Sequence, residues 1–268
     1  MSRPVPQGFE RLEGDGSDSV VHQRRAEGVR EALAAGTLYA WARSHPRARQ
    51  MQGRLPVYAA PLPLDGPTVV VRHVHHGGML APVLRDLFLP PTRAPVELAT
   101  SLLLSRAGVP TPPVVAYAIY RAGPLLRRAD VMTVELPGAD LGASLQAPPG
   151  RDDHQPLVAP VAALLGALTQ AGAWHPDLNV KNILLVPDEA GELHPAVLDV
   201  DRVRFVPPGD PNLRDANYAR LAGSVAKWCR AIGAAFPQRA MTEIRDRLMQ
   251  DEAVHAAHRA LAMKAYMP

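Results

Sequence analysis

The sequence predicts an α+β protein of two lobes: an antiparallel sheet with a helix, then a smaller and mainly helical part. Three observations predict this. Strand-like runs rich in β-branched residues occupy the first half, helical stretches dominate the end, and Pro137-Gly138 interrupts the chain between them. With 268 residues, 47% of them hydrophobic and 21% charged, the chain has enough apolar surface for one domain or two joined lobes. The expected divisions are a disordered N-terminus over 1–20, a first lobe over 21–136 and a second over 137–268.

In order, a weakly amphipathic helical stretch runs from Val20 to His45, with Gly28 and Gly36 as possible breaks. Leu55–Pro61 and Thr68–His73 read as strands about an Asp65-Gly66 turn. Pro95–Ala107 reads as a helix ended by Gly108. Val114–Tyr120 and Val131–Leu136 read as two further strands, joined through a basic turn at Arg127-Arg128. A Pro, Gly and Asp-rich loop then leads into an apolar helix from Leu157 to about Gln170. A hairpin follows, Ile183–Val186 and Ala196–Val200 about a turn at Asp188–Gly191, and helices run from Asn212 onwards. The 28 prolines, about twice the usual 5%, sit largely in short runs that read as rigid turns.

Bulk charge excludes little except a dedicated nucleic-acid binder. A net charge of +3 and a pI near 9.2 come without a basic stripe interleaved with aromatics. The same mild excess suits an anionic substrate or an anionic membrane surface. The single cysteine, Cys229, permits no internal disulfide and no Cys-ligated zinc. No apolar run approaches the roughly 20 residues that span a bilayer, and Met1 to Val20 contains no apolar secretory core, so a cytoplasmic location is expected.

The strongest chemical signal is His175-Pro176-Asp177-Leu178-Asn179-Val180-Lys181-Asn182, running into Ile183-Leu184-Leu185. It matches the His-x-Asp-x-x-x-x-Asn catalytic loop of kinases, in which the Asp orients an acceptor hydroxyl and the Asn returns to hold a metal ion. Val197-Leu198-Asp199-Val200-Asp201 supplies the second part, an Asp at a strand end where kinases chelate Mg²⁺ against the nucleotide phosphates. Asn and Asp oxygens suit that hard cation. Asp177 is therefore the expected base, with Asn182 and Asp199 as catalytic metal ligands, ATP as donor and Mg²⁺ as cofactor. A lone His-x-Asp is usually a turn feature; the ordered set of three across a strand-turn-strand is not.

Upstream parts follow in altered form. Arg72 ends the strand Val69-Val70-Val71 where a kinase carries its lysine, and Glu97 opens the next helix as its expected partner. Arginine keeps the charge and binds phosphate through a planar fork. Gly53, ahead of the first strand, stands in for a phosphate-covering glycine loop, without a Gly-x-Gly-x-x-Gly. These three make the first lobe the expected nucleotide-binding lobe and the second the catalytic one. His73 and His75 share a strand face, but no further ligand is apparent in the sequence, so a metal site there is not the favoured reading. His175 is expected to brace the loop.

The acceptor is expected to be small. Asn179 replaces the lysine of protein kinases, no Ala-Pro-Glu follows Asp199, and only about 70 residues remain after it. The run His-x-Asp-Leu-Asn-x-x-Asn-Ile-Leu-Leu with apolar-Asp-x-Asp-Arg resembles the lipopolysaccharide-core kinase family, which includes 3-deoxy-D-manno-octulosonic acid (Kdo) kinases and heptose kinases. Val71-Arg72-His73 before His76-Gly77-Gly78, and Asn217-Tyr218-Ala219-Arg220-Leu221, resemble the Kdo kinase branch. The resemblance implies a protein-kinase-like fold and phosphorylation of a Kdo hydroxyl on lipid A precursors, with peripheral contact at the cytoplasmic face of the inner membrane. Pro176, Val200 and Gly53-Arg54-Leu55 depart from the pattern. Lys181, Arg202 and Arg204 are the candidate cations for the acceptor's carboxylate and phosphates. The alternatives are another small-molecule kinase, acting on heptose or an aminoglycoside, and a nucleotide-binding pseudokinase.

Overall fold

The computed structural model describes residues 4–14, 17–51, 56–75, 86–146, 154–208 and 210–250. The chain divides into two compact units, one of residues 1–102 and 112–136, the other of 103–111 and 137–268.

The first unit is built on a seven-stranded, wholly antiparallel sheet of order β1-β2-β6-β7-β5-β4-β3. Its strands are β1 (Phe9–Gly14), β2 (Ser17–His22), β3 (Arg49–Met51), β4 (Val57–Pro61), β5 (Thr68–His73), β6 (Val114–Arg121) and β7 (Arg127–Val134). Alternation along β5 sends Val69 and Val71 into one buried cluster, with Val29 and Ala32 of α1 (Ala26–Ala34) and Leu38 and Trp41 of α2 (Leu38–Ser44). On the other face Val131 and Tyr117 pack with Leu98 of α3 (Ala94–Arg106).

The N-terminus departs from the expected disorder: β1 and β2 form a hairpin, and β2 pairs onward with β6. Its burial comes from partners almost a hundred residues away, which local composition cannot reveal. The single helix expected over 20–45 is β2 and two helices, broken at Gly36, where φ is 126°. Gly28 does not break α1; it lies buried within it. Arg127 and Arg128 belong to β7 itself.

The second unit centres on α5 (Gln155–Gln170), whose Leu157, Val161, Leu164, Leu165 and Leu168 are buried. Around it pack α6 (Pro211–Ile232), the helix α7 over 238–250, and a three-stranded sheet of order β11-β10-β8. That sheet comprises β8 (Ala139–Asp140), leading into α4 (Leu141–Ser144), with β10 (Ile183–Pro187) and β11 (Leu193–Val197). Two short strands complete the unit, β9 (Ala173–Trp174) and β12 (Arg204–Phe205), and they pair. Gly172 makes that pairing possible: its φ is 67°, and a Cβ there would sit 2.1 Å from the Val206 carbonyl oxygen. Cys229 is buried in this core.

Candidate active site

The loop between β9 and β10 is a set of interlocked turns. Leu178 N donates to His175 O at 3.0 Å and Asn182 N to Asn179 O at 2.9 Å. Asn179 Nδ2 donates to the Asp177 carbonyl at 2.8 Å, and its Oδ1 accepts from Lys181 N at 2.9 Å. Leu178 and Val180 are buried, while the Asp177 side chain stays 42% exposed. Apolar burial on alternate residues thus presents the carboxylate outward.

His175 is wholly buried beneath the loop. Its Nε2–H donates to the Leu198 carbonyl at 3.0 Å, and its backbone N–H to Asn217 Oδ1 at 3.1 Å. Asn217 Nδ2 in turn donates to Ala173 O at 2.9 Å. Burial holds the imidazole below the usual histidine value, against the Leu198 carbonyl and the charges of Asp199, Asp177 and Asp201. A neutral ring tied by Nε2 to the Leu198 carbonyl, on a residue whose own N–H is held by Asn217, is a brace. Its Nδ1 has no partner among the described residues.

The β10–β11 ladder sets Asn182 next to the segment that leads into Asp199. Ile183 pairs with Val197, and Leu198 N donates to Asn182 O at 2.9 Å. Asn182 Nδ2 donates to the Asp177 carbonyl at 2.9 Å, which fixes the amide and its oxygen, whose lone pairs could ligate a cation. Asp199 is exposed and takes a left-handed conformation, φ 54° and ψ 52°, ahead of a single turn over Val200–Arg202. An amide oxygen and a carboxylate suit a hard cation such as Mg²⁺. No group of three or more His, Cys, Asp or Glu that could hold a metal occurs among the described residues. Two such oxygens would suffice only for an ion that takes its other ligands from elsewhere, as Mg²⁺ does from phosphate and water.

Asp177 is held by two arginines. Arg202 Nη1 donates to its Oδ2 at 2.9 Å and Arg220 Nη2, from α6, to its Oδ1 at 3.3 Å. Partial burial alone would raise this carboxyl; Arg202 and then Arg220 outweigh it and hold the group below the usual carboxylate value. Of the other candidate cations, Lys181 Nζ donates to Asp140 Oδ1 at 3.1 Å and lies 4.3 Å from the Trp228 ring centroid. Arg204 stands over Trp174 at 5.5 Å.

In the first unit Arg72 donates to Glu97, and the Glu97 side chain is buried. Gly53 and His76-Gly77-Gly78 lie outside the described residues. His73 meets carboxylates at both ring nitrogens, Asp130 Oδ1 at 2.5 Å and Asp86 Oδ2 at 3.0 Å. Sequence reasoning had given Arg220, Asn217 and Asp140 no role in the site. The first two lie within the Asn217–Leu221 stretch, a resemblance whose physical purpose the sequence alone does not disclose.

A family model described as the lipopolysaccharide kinase (Kdo/WaaP) family matches residues 62–244, well over half of the chain. The chain belongs to the lipopolysaccharide kinase family. It is therefore an enzyme, a kinase of lipopolysaccharide biosynthesis, and its family implies use of ATP. A comparison with curated proteins gives no match. Among solved structures, one described as WaaP in complex with acyl carrier protein aligns with a TM-score of 0.52 at 21% identity, covering 89% of this chain and 97% of that one. At that identity the likeness bears on the fold, which is protein-kinase-like. Solved chains matching this fold number 1491, so the fold alone does not choose the acceptor. No helix among the described residues is long and apolar enough to cross a membrane.

Proposed function

We propose that this kinase transfers the γ-phosphoryl group of ATP to a Kdo hydroxyl of a lipid A-type glycolipid, with Asp177 as the base. The observation that supports the reading is the outward carboxylate of Asp177, whose backbone carbonyl accepts from the Asn182 amide at 2.9 Å, at the start of the hairpin that leads on to Asp199. Asp177 accepts the acceptor's proton as the hydroxyl oxygen bonds to the γ-phosphorus. The bond from that phosphorus to its bridging oxygen breaks, and ADP leaves with the bond's electron pair. Asn182 and Asp199 would hold Mg²⁺, which supplies neutralisation of phosphate charge when bound. Arg72, fixed by Glu97, is the phosphate-contacting cation of the nucleotide-binding unit, in the role of the kinase lysine.

The mild basic balance supports an anionic glycolipid at a membrane surface, as do Arg204, Phe205 and Val206, all exposed and next to one another. Arg204 and Lys181 are the acceptor-facing cations in this reading.

The test is transfer of labelled γ-phosphate from ATP-Mg²⁺ to Kdo-lipid A, comparing wild type with Asp177→Ala and Asp199→Ala. Transfer by wild type alone is expected. Transfer to a heptose-bearing acceptor instead would keep the kinase and replace the acceptor. Substantial turnover in Asp177→Ala would remove that residue from the base role.

A further inference from the structure

The basic pair Arg127-Arg128 has no part in the chemistry above. It lies at one end of the seven-stranded sheet, where β6 turns back into β7. Arg121, the last residue of β6, stands directly across the ladder from Arg127, the first of β7. Like charges set opposite each other on adjacent strands destabilise a hairpin. Arg127 folds over its own turn, donating through Nη1 to Leu126 O at 2.8 Å and to Gly123 O at 3.4 Å. Neither Arg121 nor Arg127 meets a carboxylate among the described residues. Two acids described at this end already have cations. Arg128 reaches Asp86 at 2.6 Å and His73 reaches it at 3.0 Å, while Asp18, opposite Ile119, is paired with Arg11.

A second segment is fastened to the same end. Phe88 is buried and exchanges both backbone hydrogen bonds with Arg127, each at 2.8 Å, in an antiparallel bridge. The chain after Phe88 therefore runs back beside the chain before Arg127, which brings Leu89-Pro90-Pro91 alongside Pro124-Leu125-Leu126. Leu89 is 67% exposed and Leu125 71%, the two highest values among the large hydrophobic side chains described. One exposed leucine needs no explanation. Two on adjoining segments, beside arginines that oppose each other, form a patch.

We propose that this end of the first unit is a docking surface for an anionic lipid bilayer. Leu89 and Leu125 enter the headgroup boundary, and Arg121, Arg127 and Arg128 meet the lipid phosphates. Charge selects the partner: two guanidinium groups held face to face without an acid are relieved by phosphate anions. The apolar side chains find hydrocarbon at the depth where arginine heads stay among the headgroups. Two leucines on short turns suit the interface and not a span, and no helix among the described residues is long and apolar enough to cross a membrane. The inference deepens the membrane reading proposed above. Vesicle binding is measured without ATP or acceptor, so it can fail while the kinase reading stands, and the reverse.

The experiment sediments the full chain with vesicles of phosphatidylcholine alone or mixed with phosphatidylglycerol, at low and high salt. Wild type is compared with Arg121→Gln, the double variant Leu89→Ser/Leu125→Ser, and Phe205→Ser. Wild type should bind the anionic vesicles, bind the neutral ones far less, and be released by salt. Arg121→Gln should bind about fivefold more weakly. It should also melt no lower than wild type, because it removes the opposed charge and keeps the Arg127 bonds. The double leucine variant should lose about tenfold in binding to anionic vesicles while keeping the salt dependence. Equal binding to both kinds of vesicle, or to neither, would overturn the proposal. Loss confined to Phe205→Ser would place the contact in the second unit and reject this surface. Retention of wild type on a polyglutamate column without vesicle binding would assign the arginines to an acidic protein instead. A lower melting temperature in Arg121→Gln with unchanged binding would make that residue structural, and would equally defeat the idea.

Discussion

Two carboxylates, one in each unit, are gripped from both sides and yet differ in kind. Asp130 in β7 is wholly buried. Its Oδ1 meets His73 Nδ1 at 2.5 Å, directly across the β5–β7 ladder, and its Oδ2 accepts from Tyr39 N at 2.9 Å in the first turn of α2. Asp177 is 42% exposed, and both its partners are long arginines nearly half exposed themselves. The donors on Asp130 are a backbone amide and a ring locked between two acids. Those on Asp177 are solvated guanidinium groups. The first arrangement fastens a helix to a sheet; the second leaves a paired charge facing solvent, as the proposed base requires.

The difference is sharpened most by removing each carboxylate. Asp177→Ala should lower turnover by about 10²- to 10⁴-fold, with nucleotide binding and the melting temperature nearly unchanged. Asp130→Ala should cost about 1–3 kcal/mol of stability, because it leaves a helix N-terminal amide unpaired and takes from the half-buried His73 one of its two carboxylate partners. Chemical denaturation checks the second, and an Asp130 variant as stable as wild type would erase the distinction.

The two sites should also answer pH oppositely. Burial alone would lower His73, but the hydrogen bonds and charges of Asp130 and then Asp86 raise it above the ordinary histidine value. The stability this contributes is complete below the unfolded value near 6.5 and is lost as pH rises through the raised folded value. Asp177 is depressed, so its smaller contribution is present above the unfolded value near 3.9 and fades as pH falls through the folded one. Melting curves across pH should show the alkaline loss in wild type and not in His73→Gln. The smallest effect is expected of Lys181→Met: stability within about 0.5 kcal/mol, since the pair with Asp140 is exposed, and a rise in acceptor KM of about threefold.

Much of this was legible in the sequence because the chemistry is local. Asp177, Asn182 and Asp199 lie within one loop and one hairpin, and β5 could be read from Thr68 to His73 by its β-branched run. Arg72 and Glu97 followed from their order, and the structure pairs them. What stayed hidden depends on separation. His73, Asp86 and Asp130 form one network across 57 residues, so the two histidines invited a metal reading while their true partners lay out of sight. Arg220 is 43 residues from Asp177 and on a helix whose exposed face reads as ordinary charge. The β1–β2 hairpin hid for a similar reason: its short polar-rich runs carry little strand signal of their own, and β2 is buried by pairing with β6, almost a hundred residues on.

The left-handed backbone at Asp199 carries a practical consequence for anyone engineering this enzyme. A non-glycine residue with φ near 54° stores strain of about 1 kcal/mol, which glycine would relieve. Asp199→Gly should therefore melt no lower than wild type, or slightly higher, while losing transfer altogether. A library ranked by heat tolerance would promote that dead variant over the working enzyme, so selection here has to be made on turnover.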